Sequence, residues 1–438
     1  MVFETPFEVY INHVQTLSNS GAIASLAEKT REAVHKDTLV KQRQHLDTAL
    51  QALDLSTHTI GAIAIVNAKL RVASSGQEFE SVIEQLDFVL DAMKPEQARY
   101  VLDIYADTFR RAAHYMLVTK RTPELAIPLI LKAVERVQTS PTQLTSLHCV
   151  LCRLCLKTRN YAPALTLLES NVTDIAKENT KEGHIDSKDF LSYYYYGGMI
   201  YAAVKNFDRS LYFLEVVLTT PAVVTSQIMI EAYKKYCLVS LIVHGRIEVL
   251  PNYRPGVIQR VVRHACQNYQ DLGDAYVSAS RHPQILTSFI GKNEAAFRGD
   301  QNYGLVKQVA TSLHKRNIQR LTKTFRKLSL ADVASRCNLP SKMEAERYLL
   351  MMIENGEIRA SIDKAAEIVD FSSCPYLPQD EGNIDDELEK CMEVDRELHK
   401  LDTEILLNPQ FVRQVMNRSK SHAPYYHHYE DEGFAGKF

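Results

Sequence analysis

At 438 residues, with 45% hydrophobic and 24% charged side chains, the chain carries enough apolar material for roughly three domain-sized cores or one long array. A net charge of -2 excludes a global electrostatic pull toward nucleic acid or anionic lipid, so any charged partner must be met by a local patch. The longest apolar runs, 61–68 and 237–243, fall short of the roughly 20 residues that cross a bilayer, which excludes a membrane span and reads instead as buried helix faces.

Glu4 and Pro6 stand where a secretory leader would need a basic and then an apolar region. Eight cysteines without regular pairing point to reduced thiols in the cytoplasm and nucleus. The sixteen glycines and fifteen prolines are spread thinly, and helical spacing of apolar residues recurs up to about residue 355. The fold class is therefore mainly α.

Residues 1–300 read as a helical-repeat array. NYAPALTLLE (160–169) and NFDRSLYFLE (206–215) share one pattern at an offset of 46: Asn, aromatic, two variable, small, Leu, variable, apolar, Leu, Glu. A fainter copy at 122–131 aligns Ala126, Ile127 and Ile130 with Ala164, Leu165 and Leu168. Around the 206 copy, Tyr194, Gly198, Tyr201, Phe207, Leu211, Leu214 and Pro221 have tetratricopeptide-like spacing. In such a hairpin the small residue lets two helices approach closely, and neighbouring hairpins must stack to bury their faces, giving a degenerate solenoid.

Residues 301–371 read as a winged helix. HKRNIQRLTKTFRKL (314–328) places Ile318, Leu321, Phe325 and Leu328 on one helical stripe. Ser329 with Asp332, and Ser341 with Glu344, are helix starts of the capping type. The second of these helices turns Ala345, Tyr348, Leu349 and Met352 inward and stops at Gly356. Two strands, 357–363 and 367–371, complete the module.

Residues 372–412 form a linker and a C-terminal amphipathic helix. Ile384, Leu388, Cys391, Val394, Leu398, Leu401 and Ile405 recur at threes and fours over about three heptads, and Asn408 and Pro409 end it. Residues 413–438 lack periodicity and are expected to be a disordered tail.

Chemistry finds little to stand on. His148, Cys149, Cys152 and Cys155 tempt a metal assignment, yet structural zinc takes four closed ligands, usually as two separated pairs, and no second pair accompanies them. The offset of 46 also lays Cys152 on Gly198 and Cys155 on Tyr201, which are helix-packing positions. H-x-H, HExxH, phosphate-cradling glycine loops and G-x-S-x-G are all absent. No cofactor, no metal and no enzymatic activity is expected.

Lys315, Arg316, Arg320, Lys323, Arg326 and Lys327 form a basic run, which a winged helix could bring to a duplex. The helix that would enter the groove, from Ser341 to Asn355, sets Lys342 and Arg347 against Glu344, Glu346 and Glu354, and net negative charge opposes a polyanion. Between Asp380 and Glu404, eleven acidic residues face only Lys390, Arg396 and Lys400. Opposite charges on the two segments could steer subunits together.

Helical repeats running into a winged helix and then one bundle helix are the layout of the PCI-domain proteins, scaffold subunits of the proteasome lid, the signalosome and translation initiation factor three. Segments 46–70, 193–222, 231–247, 317–336 and 408–412 resemble the signalosome members most closely. The resemblance implies a non-catalytic scaffold in the complex that removes the Nedd modifier from cullins and so regulates cullin-RING ubiquitin ligases. Its partners would be the other PCI and MPN subunits and, indirectly, those ligases, with the isopeptidase in a different subunit.

The resemblance also implies that the winged-helix strands add edge to edge with those of other subunits, making Ile358, Ala360, Ile362, Ile368, Val369 and Phe371 the joining edge. Strand edges carry main-chain donors and acceptors suited to this. The helix from Ile384 to Ile405 would enter a bundle shared by all subunits. The same layout also fits a PCI subunit of the proteasome lid or of translation initiation factor three and, less well, a nucleic-acid-binding winged-helix protein.

Overall fold

Helix starts along the repeat region are set by short polar side chains, as their sequence demands. The computed structural model describes residues 5–119, 123–170, 172, 174–175, 185–251, 254–279, 284–371, 380–409 and 411–413. The expected tail therefore lies outside the described residues, apart from its first position. Two compact units emerge: residues 1–324 with 330–352, and residues 325–329 with 353–438.

In the first unit, Thr5 and Glu8 exchange a capping box, with the Thr5 N–H donating to Glu8 Oε2 at 2.8 Å and the Glu8 N–H donating to Thr5 Oγ1 at 3.3 Å. Ser75, Asp186, Asn206 and Ser226 likewise accept from backbone N–H groups of the first turn that follows. Each satisfies donors that the helix cannot. The helices Thr59–Val72 and Gln227–Val243 are apolar nearly all round, and both are buried, with Ile60, Ala62, Ile65, Val66, Cys237, Leu238 and Val239 in the core. The apolar runs that fell short of a membrane span are thus buried helix faces in the core.

The repeat spaced by 46 residues is a pair of helical hairpins. Ser146–Thr158 is followed by Ala162–Leu168, and Ser187–Ala203 by Phe207–Thr219. The correspondence extends to the backbone of the turn: Arg159 and Lys205, themselves 46 apart, both take positive φ, 58° and 68°. A left-handed residue closes each first helix, as at other αL C-caps.

Close approach occurs where glycine was expected. A Cβ on Gly198 would lie 3.0 Å from Leu214 Cγ, and the Ser210 hydroxyl donates to the Gly198 carbonyl at 2.8 Å. The adjacent Gly197 is tighter still, its absent Cβ falling 2.6 Å from Phe213 Cδ1 and 2.9 Å from Leu168 Cδ2. One glycine thus faces its own hairpin and the preceding one. Gly197→Val is expected to lower stability by about 2 kcal/mol through overpacking. An unchanged urea midpoint would show that Phe213 and Leu168 yield freely.

A buried polar junction ties the later helices of this unit together. The Lys234 ammonium donates to Glu231 at 2.9 Å and to Asp300 at 2.8 Å. The Tyr269 hydroxyl donates to the other Asp300 oxygen at 2.8 Å and accepts from Asn302 Nδ2 at 2.9 Å. Asp300 lies in the short turn between Glu294–Gly299 and Tyr303–Thr324, so one carboxylate links that turn to Gln227–Val243 and Gln267–Ala279.

The winged-helix elements occur in the order helix, strand, helix, helix, strand, strand: Tyr303–Thr324, Lys327–Ser329, Leu330–Arg336, Lys342–Glu354, Ser361–Asp363 and Ile368–Asp370. The capping expectations hold at the last helix, where Ser341 Oγ accepts from the Glu344 N–H at 3.2 Å. Ala345, Leu349 and Met352 are fully buried. Gly356 has φ +70° and its N–H reaches the Ile353 carbonyl at 3.0 Å, the conformation that favours glycine past a helix end.

Two expectations are corrected in the second unit. The helix expected to carry Leu328 ends at Thr324, and Leu328 instead lies in a strand. That strand pairs antiparallel with Ile368–Asp370, Lys327 opposite Asp370, Leu328 opposite Val369 and Ser329 opposite Ile368. Ser361–Asp363 pairs with the other side of Ile368–Asp370. Ile368–Asp370 is therefore the central strand of three, not part of an edge. A Lys327–Asp370 ion pair at 3.1 Å and the Phe371 N–H donating to the Arg326 carbonyl at 2.8 Å hold the additional strand.

Candidate assembly surface

The C-terminal helix runs Asp380–Leu407 and stops before Asn408, so a polar residue followed by proline ends it as expected. Along it Leu388, Val394, Leu398, Leu401 and Ile405 are each more than half exposed, with Leu398 at 59% and Leu401 at 52%. Cys391, on the same seam, is exposed too. The side chain of Ile384 lies outside the described residues.

Lone exposed leucines are ordinary, but a row of them at heptad spacing leaves a continuous apolar seam in water. Met392, Leu406, Leu407, Phe411 and Val412 are also exposed apolar residues; the first three lie off the strict heptad, and Phe411 and Val412 follow the expected end of the helix at Asn408 and Pro409. Counting apolar side chains either side of Ile405 would have found the C-terminal four. Outside the seam the helix is densely acidic, which keeps such a surface in solution.

The predicted joining edge is redistributed. Ile358 is buried and precedes the outer strand, Ala360 and Ile362 are half-buried, Val369 is fully buried in the central strand and Phe371 is half-buried beyond it. Ile368 is 38% exposed. The outermost strands are Ser361–Asp363 and Lys327–Ser329. Of the predicted residues, only Ile362 sits in an edge strand.

The chemistry considered from sequence is absorbed by packing. Cys152 and Cys155 are in the core, and burial pushes both thiols up, Cys155 to about 11, away from the thiolate a metal would need. His148 Nδ1 accepts from the Thr145 N–H at 3.1 Å as part of a helix cap. Burial lowers its pKa to about 4, keeping it neutral. Among the described residues no group of three or more His, Cys, Asp or Glu is placed to hold a metal ion, and no helix is long and apolar enough to cross a membrane.

The basic run is partly structural. The Arg316 guanidinium donates to the carbonyl of Val243, the last residue of its helix, where a cation complements the helix dipole. It occupies the space that a Cβ on Gly245 would fill, 2.6 Å away, and Gly245 has φ +72°.

Helical repeats, a winged-helix module and an exposed heptad seam are the features of a PCI-type assembly subunit. Residues 290–373 match the PCI domain family model. Residues 20–258 match the model described as COP9 signalosome complex subunit 3, N-terminal helical repeats. The chain is 40% identical over 426 residues to COP9 signalosome complex subunit 3 of Drosophila melanogaster, covering 93% of this chain and 94% of that one. It is 30% identical over 391 residues to the protein of the same name from Dictyostelium discoideum, covering 87% and 90%. The chain belongs to the COP9 signalosome subunit 3 family.

Proposed function

We propose that the chain is a non-catalytic scaffold subunit of the COP9 signalosome, supporting removal of the Nedd modifier from cullins and so regulating cullin-RING ubiquitin ligases in the cytoplasm and nucleus. It binds the other PCI and MPN subunits, and reaches the ligases through them. The exposed seam from Leu388 to Ile405 carries this reading. A charged helix with half-exposed leucines at heptad spacing has apolar area to gain by packing against another chain. The outer strand Ser361–Asp363 supplies a second contact by strand addition.

Deleting residues 380–438 is expected to leave a folded chain that no longer copurifies with the remaining signalosome subunits when all are coexpressed. Full retention of the truncated chain would remove the helix from assembly. Copurification with proteasome-lid or initiation-factor subunits instead would overturn the assignment to this complex.

A further inference from the structure

The first unit holds a charged cavity that its own packing does not use. About 200 Å³ in volume, it is bounded by Leu102–Thr119, Ser146–Thr158 and the first turns of Ser187–Ala203. Its lining is of two kinds. Ala113, Val150 and Leu154 are buried and, with Leu117, give it apolar walls. Arg110, Arg153 and Lys188 bring three positive charges, against the carboxylates of Asp186 and Asp189.

Both carboxylates are already committed. The Arg110 guanidinium donates to the two Asp189 oxygens at 3.0 and 3.3 Å, and the Cys149 thiol donates to the same carboxylate at 3.6 Å. Asp186 caps the helix that follows it, accepting from the Lys188 N–H and the Ser187 hydroxyl, each at 3.3 Å. Arg153 and Lys188 are exposed, and among the described residues neither side chain has an ion-pair or hydrogen-bond partner. The Arg153 charge reaches into the cavity. Burial pushes the Cys149 thiol pKa up and Asp189 adds to the rise, while the Arg110 and Arg153 guanidiniums oppose it. Burial raises Tyr196 on the same wall, and Arg153 again opposes the shift.

Positive charge left over around an apolar hollow complements an anion that carries an apolar group. The volume fixes the scale of that group. Small-molecule and cofactor sites run to roughly 300–1,000 Å³, so a cavity of this size admits one side chain and the backbone beside it. We infer that the cavity docks a short segment of another protein in which an apolar side chain stands next to Asp or Glu. The apolar side chain fills the hollow against Val150 and Leu154, and the carboxylates meet Arg153 and Lys188 at its rim. All of these residues belong to the repeat helices, so the site stands or falls separately from the scaffold reading.

Ligand-observed saturation-transfer NMR on the full-length chain reads weak binding directly. Three short peptides are compared: Leu with Glu on either side in a Gly and Ser background, the same with Gln for both Glu, and the same with Ser for Leu. The first is expected to bind about fivefold more tightly than either of the others at low salt, because exposed pairs each contribute modestly and the leucine is only partly enclosed. High salt closes the gap to the Gln peptide and leaves the gap to the Ser peptide, since screening acts on charge alone. In R153E/K188E, whose substitutions are both at exposed positions, the preference turns toward a peptide with Lys for both Glu, with an unchanged melting temperature.

Equal affinity for the Glu and Gln peptides, no transfer to the Glu peptide, or an unchanged preference in the variant overturns the proposal. So does competition by inorganic phosphate with no loss on removing the leucine, which would make this a plain anion site. Self-association of the chain that disappears in R153E/K188E would make the occupant a second copy and overturns it as well.

Discussion

Leu398→Asp combined with Leu401→Asp is expected to abolish incorporation into the complex while leaving the isolated chain as stable as before. Both residues are more than half exposed in the chain alone, so neither contributes much to its own folding, and surface changes of this kind stay within about 0.5 kcal/mol. On association each leucine removes apolar area from water, worth roughly 1.5 to 3 kcal/mol when fully buried. A carboxylate in its place adds a desolvation cost. The combined loss is at least about 4 kcal/mol, on the order of a thousandfold in affinity. Copurification and thermal unfolding check the two halves. Normal incorporation, or a large drop in melting temperature of the chain alone, would sink the view of the seam as a free assembly surface.

The second large effect is expected inside the repeat region. Asp300→Ala strips the Lys234 ammonium, only 10% exposed, of one of its two carboxylates and removes the acceptor of the Tyr269 hydroxyl. Deleting one partner leaves the other charge buried and undercompensated, which costs more than the pair contributes net. Partial exposure of Asp300, at 29%, tempers the figure to about 2 kcal/mol. The loss is predicted to depend on pH. Burial opposes ionisation of Asp300, but hydrogen bonds from Lys234 and Tyr269 outweigh it and hold the carboxyl below its ordinary value of 3.8. A depressed folded pKa contributes stability above the unfolded value and loses it as pH falls through the folded one. The stability gap between the natural chain and Asp300→Asn should therefore close below about pH 4. A gap constant from pH 7 to pH 3 would show that the carboxylate charge contributes nothing.

Much of the architecture was legible because its signals are local. Helical periodicity depends on residues three and four apart, and capping on residues three apart, so Ser341 with Glu344, Gly356 and the end at Asn408 all fell where the sequence placed them. The hairpin repeat was legible as well, because packing at Gly198 and a left-handed turn at Arg159 and Lys205 impose the same residue types at the same offset. Gly197 was not, although it is the tighter of the two approaches. Two adjacent glycines look alike in sequence, and only the position of Phe213 and Leu168 distinguishes them.

The sheet was misread for the opposite reason. Lys327–Ser329 is three residues long with one buried side chain, Leu328, and it continues the helical spacing from Ile318. What makes it a strand is its partner some forty residues later, and no local pattern records that. The same pairing turned the predicted edge at Ile368–Asp370 into the centre of the sheet.

By itself the sequence determined the helical class, the repeat, the helices of the winged-helix module and the heptad spacing of the last helix, because each follows from periodicities and caps written within a turn or two of the chain. Only the tertiary structure decided which strand is an edge, which glycine meets a neighbouring hairpin, and that Arg316 caps the helix ending at Val243. Those outcomes depend on contacts between segments far apart in the chain, and exposure of the C-terminal leucines is likewise a property of what does not pack against them.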